Sequence, residues 1–448
     1  MKKIELSDIF TYEKLLVYSL PSIFNMLVVT SFQLVDGYFV SNLLGVTAFA
    51  AINLVQPAFL VVFALGLMFG TGSSAVIAGL LGKGEGKKAK EVFSCAVILM
   101  IAVGFILGGI LVLLMPNIAR MVGASKDSMG YCVTYGRWMT SFLCAFIITY
   151  GFQSLWVTAG KPWIGSLVSV INGGMNVVLD WVLMVPMKMG VTGAAMATCL
   201  AAMTGMIITV VYFALPNSSS LRLVIPKLRS FKDMGDICFN GASEMADSVS
   251  SNITILVING QLMRFIGESG VAAMGVFEYV ATVFLAISYG FSNAIITIIG
   301  YKVGEMKKKE IHEVLRRSIV LQILSGTIMS ALCWILARSI ATVYVGYDEV
   351  TLELAVKVLK ISSITCIFYG FDVFCGSFFT GMGDGLDSII IAFMLSLVAP
   401  VFFAFLLPAI WGAEAIWYLY PVFTMATAVL CAVMLKWRYP AWMRRLFP

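Results

Sequence analysis

Two carboxylates, Asp36 and Asp180, sit inside stretches that otherwise read as membrane-spanning helices. Keeping an ionisable group at mid-bilayer costs roughly 2.5–3.5 kcal/mol on insertion scales. A chain that retains two of them, each on a polar-striped helix, has the makings of a site that binds and releases a cation. On the first apolar stretch Asn25, Gln33 and Asp36 share a face, because steps of three, four and eight residues keep helical side chains aligned. On the fifth, Ser169, Asn172, Asn176 and Asp180 do the same. Thr149 and Gln153 on the fourth, with Asn53 and Gln56 on the second, would complete an oxygen-rich nest. Such oxygens suit a hard monovalent cation or a shared proton, and carboxylates close enough to interact titrate as a unit. Asp36, Asp180, Asn176, Asn172 and Gln33 are therefore candidate residues for coupling to H+ or Na+. The competing reading, a static structural contact, finds no basic residue mid-span nearby to serve as partner.

A second acidic set lies further along. Asn240, Glu244, Asp247 and Ser251 line one face of a seventh stretch, Glu278 and Thr282 lie on the eighth, and Thr365, Tyr369 and Asp372 align on the tenth. A cavity walled by Glu244, Asp247, Glu278, Tyr369 and Asp372 would attract cationic, partly apolar molecules. The same acids could instead form a second cation site or be paired structurally. Glu414, near the end of a stretch, reads as interfacial. Pro21 is a candidate hinge in the first stretch, since proline frees a backbone carbonyl and kinks a helix; a static kink is the equal alternative. Pro57 interrupts the second stretch, and Pro400 and Pro408 interrupt the eleventh.

The elements that must position these groups follow from composition. Of 448 residues, 60% are hydrophobic and only 12% charged, with a mean hydropathy of +0.95. Soluble domains carry about 25% charged residues, so the solvent for this surface is lipid. Apolar runs of this length predict helices, whereas a transmembrane barrel would alternate over short segments. Twelve spans are expected: 14–40, 46–80, 90–116, 129–158, 162–186, 190–215, 235–265, 270–300, 315–343, 352–381, 386–408 and 412–436. With that count, 22 of the 30 Lys and Arg residues fall on the side that holds both termini and 8 on the other. The positive-inside rule then puts both termini in the cytoplasm of a multi-pass protein of the plasma or inner membrane. The first run has no small-residue cleavage site before it and reads as a span, not a signal peptide. Nine cysteines are scattered singly and read as small buried hydrophobes; a lone His312 in a basic loop makes a histidine-based metal site unexpected.

The two halves resemble each other at a shift of roughly 220 residues. Gly70 leads to Gly84-Glu85 and Lys87-Lys88, as Gly290 leads to Gly304-Glu305 and Lys307-Lys308. Leu44-Gly45 with Ala50-Ala51 matches Ile266-Gly267 with Ala272-Ala273, and Thr158-Ala159-Gly160 falls opposite Thr380-Gly381-Met382. The fold class expected is thus all-α, a polytopic membrane protein of about twelve transmembrane helices in two parallel-repeat six-helix bundles. The lobes would be 1–216 and 233–448, joined by a polar cytoplasmic linker, 217–232.

Leu20-Pro21-Ser22, Val35-Asp36-Gly37-Tyr38-Phe39-Val40 leading to Gly45, Gly70-Thr71-Gly72-Ser73 with Gly82-Lys83-Gly84-Glu85, Asn176-Val177-Val178-Leu179-Asp180 and Gly270-Val271-Ala272-Ala273 together resemble the multidrug and toxic compound extrusion (MATE) family. The likeness runs through both halves and rests on order and spacing. It implies a two-lobed exporter of mostly cationic drugs driven by H+ or Na+ antiport, needing no cofactor beyond the coupling ion. Asp36 matches the family's first-helix acid, and Asp180 with Asn176 matches the fifth-helix acid and amide of the DinF-like and MepA-like members. Glu244 and Asp372 look like the second-lobe acids of the NorM-like branch, so the coupling acids stay open between the lobes.

The function expected is therefore secondary active efflux of cationic amphiphiles by alternating access. The alternative is a flippase for a lipid-linked or other amphiphilic substrate of the wider superfamily, which would call for a basic cavity that scarce mid-span Lys and Arg do not provide. A channel or receptor has no need of paired halves and buried acids. An enzyme is not expected: no G-x-x-x-x-G-K-[ST] segment and no nucleophile–base pair stands out. Expected partners are small cationic amphiphiles and the bilayer, with no nucleic acid, and the working unit is expected to be a monomer.

Overall fold

The computed structural model describes residues 4–121, 124, 128–345 and 349–446; side chains at 33–51, 53, 54, 56–58, 60–62, 228, 268, 442, 445 and 446 lie outside that description. Among the described residues there is no strand. Fourteen α-helices follow in order: α1 (Tyr12–Gly82), α2 (Gly86–Met121), α3 (Met129–Ser141), α4 (Leu143–Thr158), α5 (Pro162–Met184), α6 (Gly190–Ala214), α7 (Met234–Phe265), α8 (Glu268–Gly304), α9 (Lys308–Val345), α10 (Glu349–Ser362), α11 (Thr365–Met382), α12 (Gly385–Phe393), α13 (Ala399–Trp411) and α14 (Leu419–Leu446).

Nine described stretches are long and apolar enough to cross a bilayer, and eleven if α3 with α4 and α10 with α11 each count as one bent span. The bends are 60° and 51°, and they fall in the fourth and tenth expected spans, corresponding places in the two halves. Helix α7 is the missing member. Its 32 residues would span about 48 Å, but Asp236, Glu244, Asp247 and Arg264 make it too polar to be recognised by apolarity. A polar helix of that length is stable in lipid only if its stripe faces protein or water.

Two departures from the sequence reading concern helix breaks. The backbone stays helical from Tyr12 to Gly82, across 41–45 where a break was expected. That stretch holds no proline, and one glycine costs a helix only about 1 kcal/mol. In the eleventh span Pro400 does not break the helix either. It is preceded by one π-helical turn, Met394–Val398, that hands α12 on to α13, while Pro408 sits three residues before the end of α13.

The chain forms two compact units. One is Phe24–Gly241; the other combines Met1–Ile23 with Ala242–Pro448. In the first, small residues set the spacing. A Cβ on Gly70 would collide with the Gly151 carbonyl, and one on Gly104 would meet the Cys144 backbone. Ala194, Ala195, Ala201 and Ala202 give α6 a flat side. The polar segment 217–232 belongs to this unit: the Val224 N–H donates to Ser94 Oγ at 2.9 Å and Ser230 Oγ to Glu91 Oε2 at 2.9 Å. In the second unit the core gathers around Trp417, Phe277, Leu262 and Phe423. Residues before α1 are held there too. Lys302, whose side chain is fully buried, donates to the Ser7 carbonyl at 3.2 Å while pairing with Glu310 at 2.7 Å and Glu305 at 3.1 Å. Arg317 donates to the Phe10 carbonyl, and buried Phe10 meets Tyr18 edge-on at 5.5 Å.

Candidate functional site

In the unit Phe24–Gly241 the stripe on α5 takes shape as the wall of a cavity. Pro162 starts the helix, its fixed φ and missing N–H being suited to the first turn. Ser169, Asn172 and Asn176 then face Thr149, Gln153 and Thr198 around a cavity of about 130 Å³. Asn176 Nδ2 donates to Thr198 Oγ1 at 3.4 Å, and Thr198 Oγ1 donates in turn to the Ala194 carbonyl at 3.1 Å. Thr149 Oγ1 donates to the Ala202 carbonyl at 3.3 Å. Asp180 lies one turn beyond Asn176 on the same face, wholly enclosed. Gln33 and Asp36, the other expected members, have side chains outside the described residues, as do Asn53 and Gln56. Pro21 is buried in α1, two residues before the boundary between the units.

The second acidic set divides between two cavities in the other unit. Glu244, Asp247 and Asp372 share a small one of about 40 Å³ with Tyr289. Tyr289 donates its hydroxyl hydrogen to Asp247 Oδ2 at 2.8 Å, and Ser396 Oγ donates to Asp247 Oδ1. Asp372 is wholly buried, with the Cys431 thiol as a hydrogen-bonding neighbour. Glu278 and Tyr369 line a larger, aromatic cavity of about 240 Å³ with Phe277, Phe284, Tyr420 and Phe423. There the Tyr420 hydroxyl donates to Glu278 Oε1 at 2.8 Å. Glu414, by contrast, is exposed and paired with Lys357.

These sizes separate roles. A water needs roughly 10–15 Å³ of such space, so the small cavity of about 40 Å³ has room only for a few waters or a small ion. The larger one approaches the few hundred Å³ of small-molecule pockets. None of the described residues lining the three cavities is basic. Among the described residues no three His, Cys, Asp or Glu side chains converge tightly enough to hold a metal ion. The three carboxylates of the small cavity are spread around its wall instead.

A helical chain with polar stripes turned into such cavities invites comparison with known proteins. The MatE family profile matches two stretches of near-equal length, residues 21–182 and 243–406. The chain belongs to the MatE family. The resemblance drawn from the quoted motifs therefore holds, and the two stretches, one in each half, fit a duplicated chain. Among MatE relatives, the multidrug export protein MepA of Staphylococcus aureus (strain MRSA252) is 26% identical over 403 residues, covering 88% of this chain and 86% of that protein. MepA of Staphylococcus haemolyticus (strain JCSC1435) is 25% identical over 405 residues with the same coverage. The fold superposes with a TM-score of 0.91 on a structure described as the outward-facing conformation of a multidrug resistance MATE family transporter, 21% identical and covering 99% of both chains.

For this MatE chain, sequence reasoning named Glu244, Asp247, Glu278, Tyr369 and Asp372 but not how they divide. It also passed over Tyr289, Ser396, Tyr420 and Thr254. Ser396 carried a usable signal, since it stands four residues before Pro400, where a helix loses a hydrogen bond. Tyr420 carried none.

Proposed function

We propose that the chain is a secondary active exporter of cationic amphiphilic compounds, driven by H+ or Na+ antiport through alternating access. The observation that carries this reading is the set of carboxylates, Glu244, Asp247, Glu278 and Asp372, lining cavities with no described basic residue. A negative side chain held there without a lysine or arginine is a seat for an exchangeable positive charge. The aromatic cavity around Glu278, Tyr369 and Tyr420 supplies apolar area and ring faces for an organic cation. In the other unit Asp180, Asn176 and Asn172, with Asp36 and Gln33, form the coupling-ion site, and Pro21 is the hinge through which occupancy changes the first helix. The units of the transport cycle are the two lobes expected at 1–216 and 233–448, with their compact cores drawn at Phe24–Gly241 and at Ala242–Pro448 together with Met1–Ile23. The relatives named as multidrug export proteins support drug export as the activity, and acidic walls favour cationic compounds and count against the flippase alternative, whose anionic substrate calls for basic ones.

The test is ethidium efflux from proteoliposomes with a pH gradient and a Na+ gradient imposed separately. Efflux should follow one of them. Asp36→Asn and Asp180→Asn should each slow coupled efflux by about tenfold or more, the scale of 1.4 kcal/mol, while the protein still inserts into the membrane. Efflux that ignores both gradients, or survives both substitutions unchanged, sinks the reading.

A further inference from the structure

The small acidic cavity and the larger aromatic one adjoin at one turn of backbone, as well as through Tyr369 of α11, which lines the aromatic cavity and hydrogen-bonds Tyr289 of the acidic one. Leu395 lines both of them. The next residue, Ser396, lines the aromatic cavity, yet its hydroxyl donates to Asp247 of the acidic one. Both belong to the π-helical turn Met394–Val398.

The chemistry of that turn follows from Pro400. In a regular helix the Ser396 carbonyl would accept from the N–H of residue 400, and a proline has none. The ladder adapts by widening: the Ala399 N–H reaches five residues back to the Met394 carbonyl. The Ser396 carbonyl is taken by a side chain instead, Thr254 Oγ1 of α7, at 2.5 Å. Ser396 is therefore tied twice to α7, through its carbonyl to Thr254 and through its hydroxyl to Asp247, two turns apart on the same helix. Single π turns are rare, and they tend to mark functional sites where a helix can change register.

The Asp247 bond is the one of the two that depends on charge. A serine hydroxyl donating to a carboxylate makes a charge-assisted bond, about twice as strong as a neutral one. When a positive charge loads the acidic cavity, Asp247 gains a competing partner and that advantage shrinks. The groups facing Asp247 are Glu244 on its own helix, Tyr289 on α8, and Tyr369 and Asp372 on α11. No described basic residue lines that cavity to keep Asp247 neutralised.

We infer that Ser396 is a positioning residue that reports the charge state of the acidic cavity to the aromatic one, the turn Met394–Val398 serving as a partition that holds when Asp247 is bare and slackens when a cation is loaded. Its carbonyl tether to Thr254 keeps the turn in place as the hydroxyl lets go. The inference rests on the antiport reading, because it supplies a route by which ion and substrate sense each other within one unit.

The experiment uses full-length protein in lipid nanodiscs and ethidium as the probe, with affinity measured at acid and alkaline pH and with and without Na+. Wild-type protein should show a cation-dependent change in ethidium affinity in the range of roughly 5- to 150-fold. In Ser396→Ala the change should fall below about twofold, while Ser396→Thr, which keeps a hydroxyl, should restore it. Hydrogen exchange of the backbone amides from 394 to 402 gives a second readout. In wild type it should quicken on cation loading, and in Ser396→Ala it should be fast in both conditions. A wild-type-sized affinity change in Ser396→Ala overturns the inference and leaves the antiport reading standing. Wild-type protein whose ethidium affinity ignores both pH and Na+ overturns the two together.

Discussion

Tyr420 illustrates how this protein handles a carboxylate in lipid. Its hydroxyl gives Glu278 one hydrogen bond without cancelling the charge, so the acid is held in place and still available to a cation. A lysine in that position would neutralise Glu278 permanently. Removing the hydroxyl leaves a partly buried carboxylate short of a donor, at a cost of about 1–3 kcal/mol, and an incoming cation relieves that deficit. Tyr420→Phe should therefore bind ethidium more tightly, by about fivefold for 1 kcal/mol, and release it more slowly, lowering turnover. Glu278→Gln should do the reverse and weaken binding. Fluorescence titration with ethidium, paired with efflux rates, reads both; weaker binding in Tyr420→Phe would mean that the hydroxyl orients Glu278 for its ligand.

At the scale of elements, the helices that carry the site are placed by missing side chains as much as by present ones. Gly70 brings α1 against α4 at Gly151, and α4 carries Thr149 and Gln153 into the cavity beside Asn176. Gly174, midway between the cavity-lining Asn172 and Asn176 on α5, has nothing within 4 Å of where its Cβ would be. Gly70→Val should consequently lower the melting temperature of the detergent-purified protein, overpacking costing about 1–3 kcal/mol, and Gly174→Ala should leave it unchanged or raise it slightly, alanine being the better helix former. Equal melting temperatures for the two variants would show that the α1–α4 contact is slack.

Across the whole molecule, the distribution of basic residues and an even count of twelve spans predict that both ends of the chain lie in the cytoplasm. Tags fused at the N- and C-termini should both be cleaved by protease added to inside-out vesicles and both be protected in right-side-out ones. Protection of only one would remove a span from the count. The segment before α1 is in any case anchored: Ser7 and Phe10 give their carbonyls to Lys302 and Arg317. Buried Lys302 sits between Glu305 and Glu310, and stripping one member from such a buried set typically costs about 3–5 kcal/mol, so this end of α1 is firmly fixed within its unit.

The class of protein, the helical stretches, the duplication and the stripe on α5 were legible in the amino acids because each is a short-range property. Hydropathy over twenty residues answers to the bilayer, and a spacing of three or four answers to one helix's own periodicity, so neither needs a partner to be known. Where the chain departs from that reading, distant segments decide. Glu244 and Glu278 look like members of one acidic set, yet a turn some 120 residues after Glu278 runs between their cavities and binds Asp247. Pro400 announces a lost hydrogen bond, but only packing against α7 reveals that Thr254 supplies the replacement and that the helix widens instead of breaking. Tyr420 becomes the partner of Glu278 through a contact 142 residues apart. Local periodicity fixes which face of a helix is polar; which polar faces meet is settled by how all the helices pack at once.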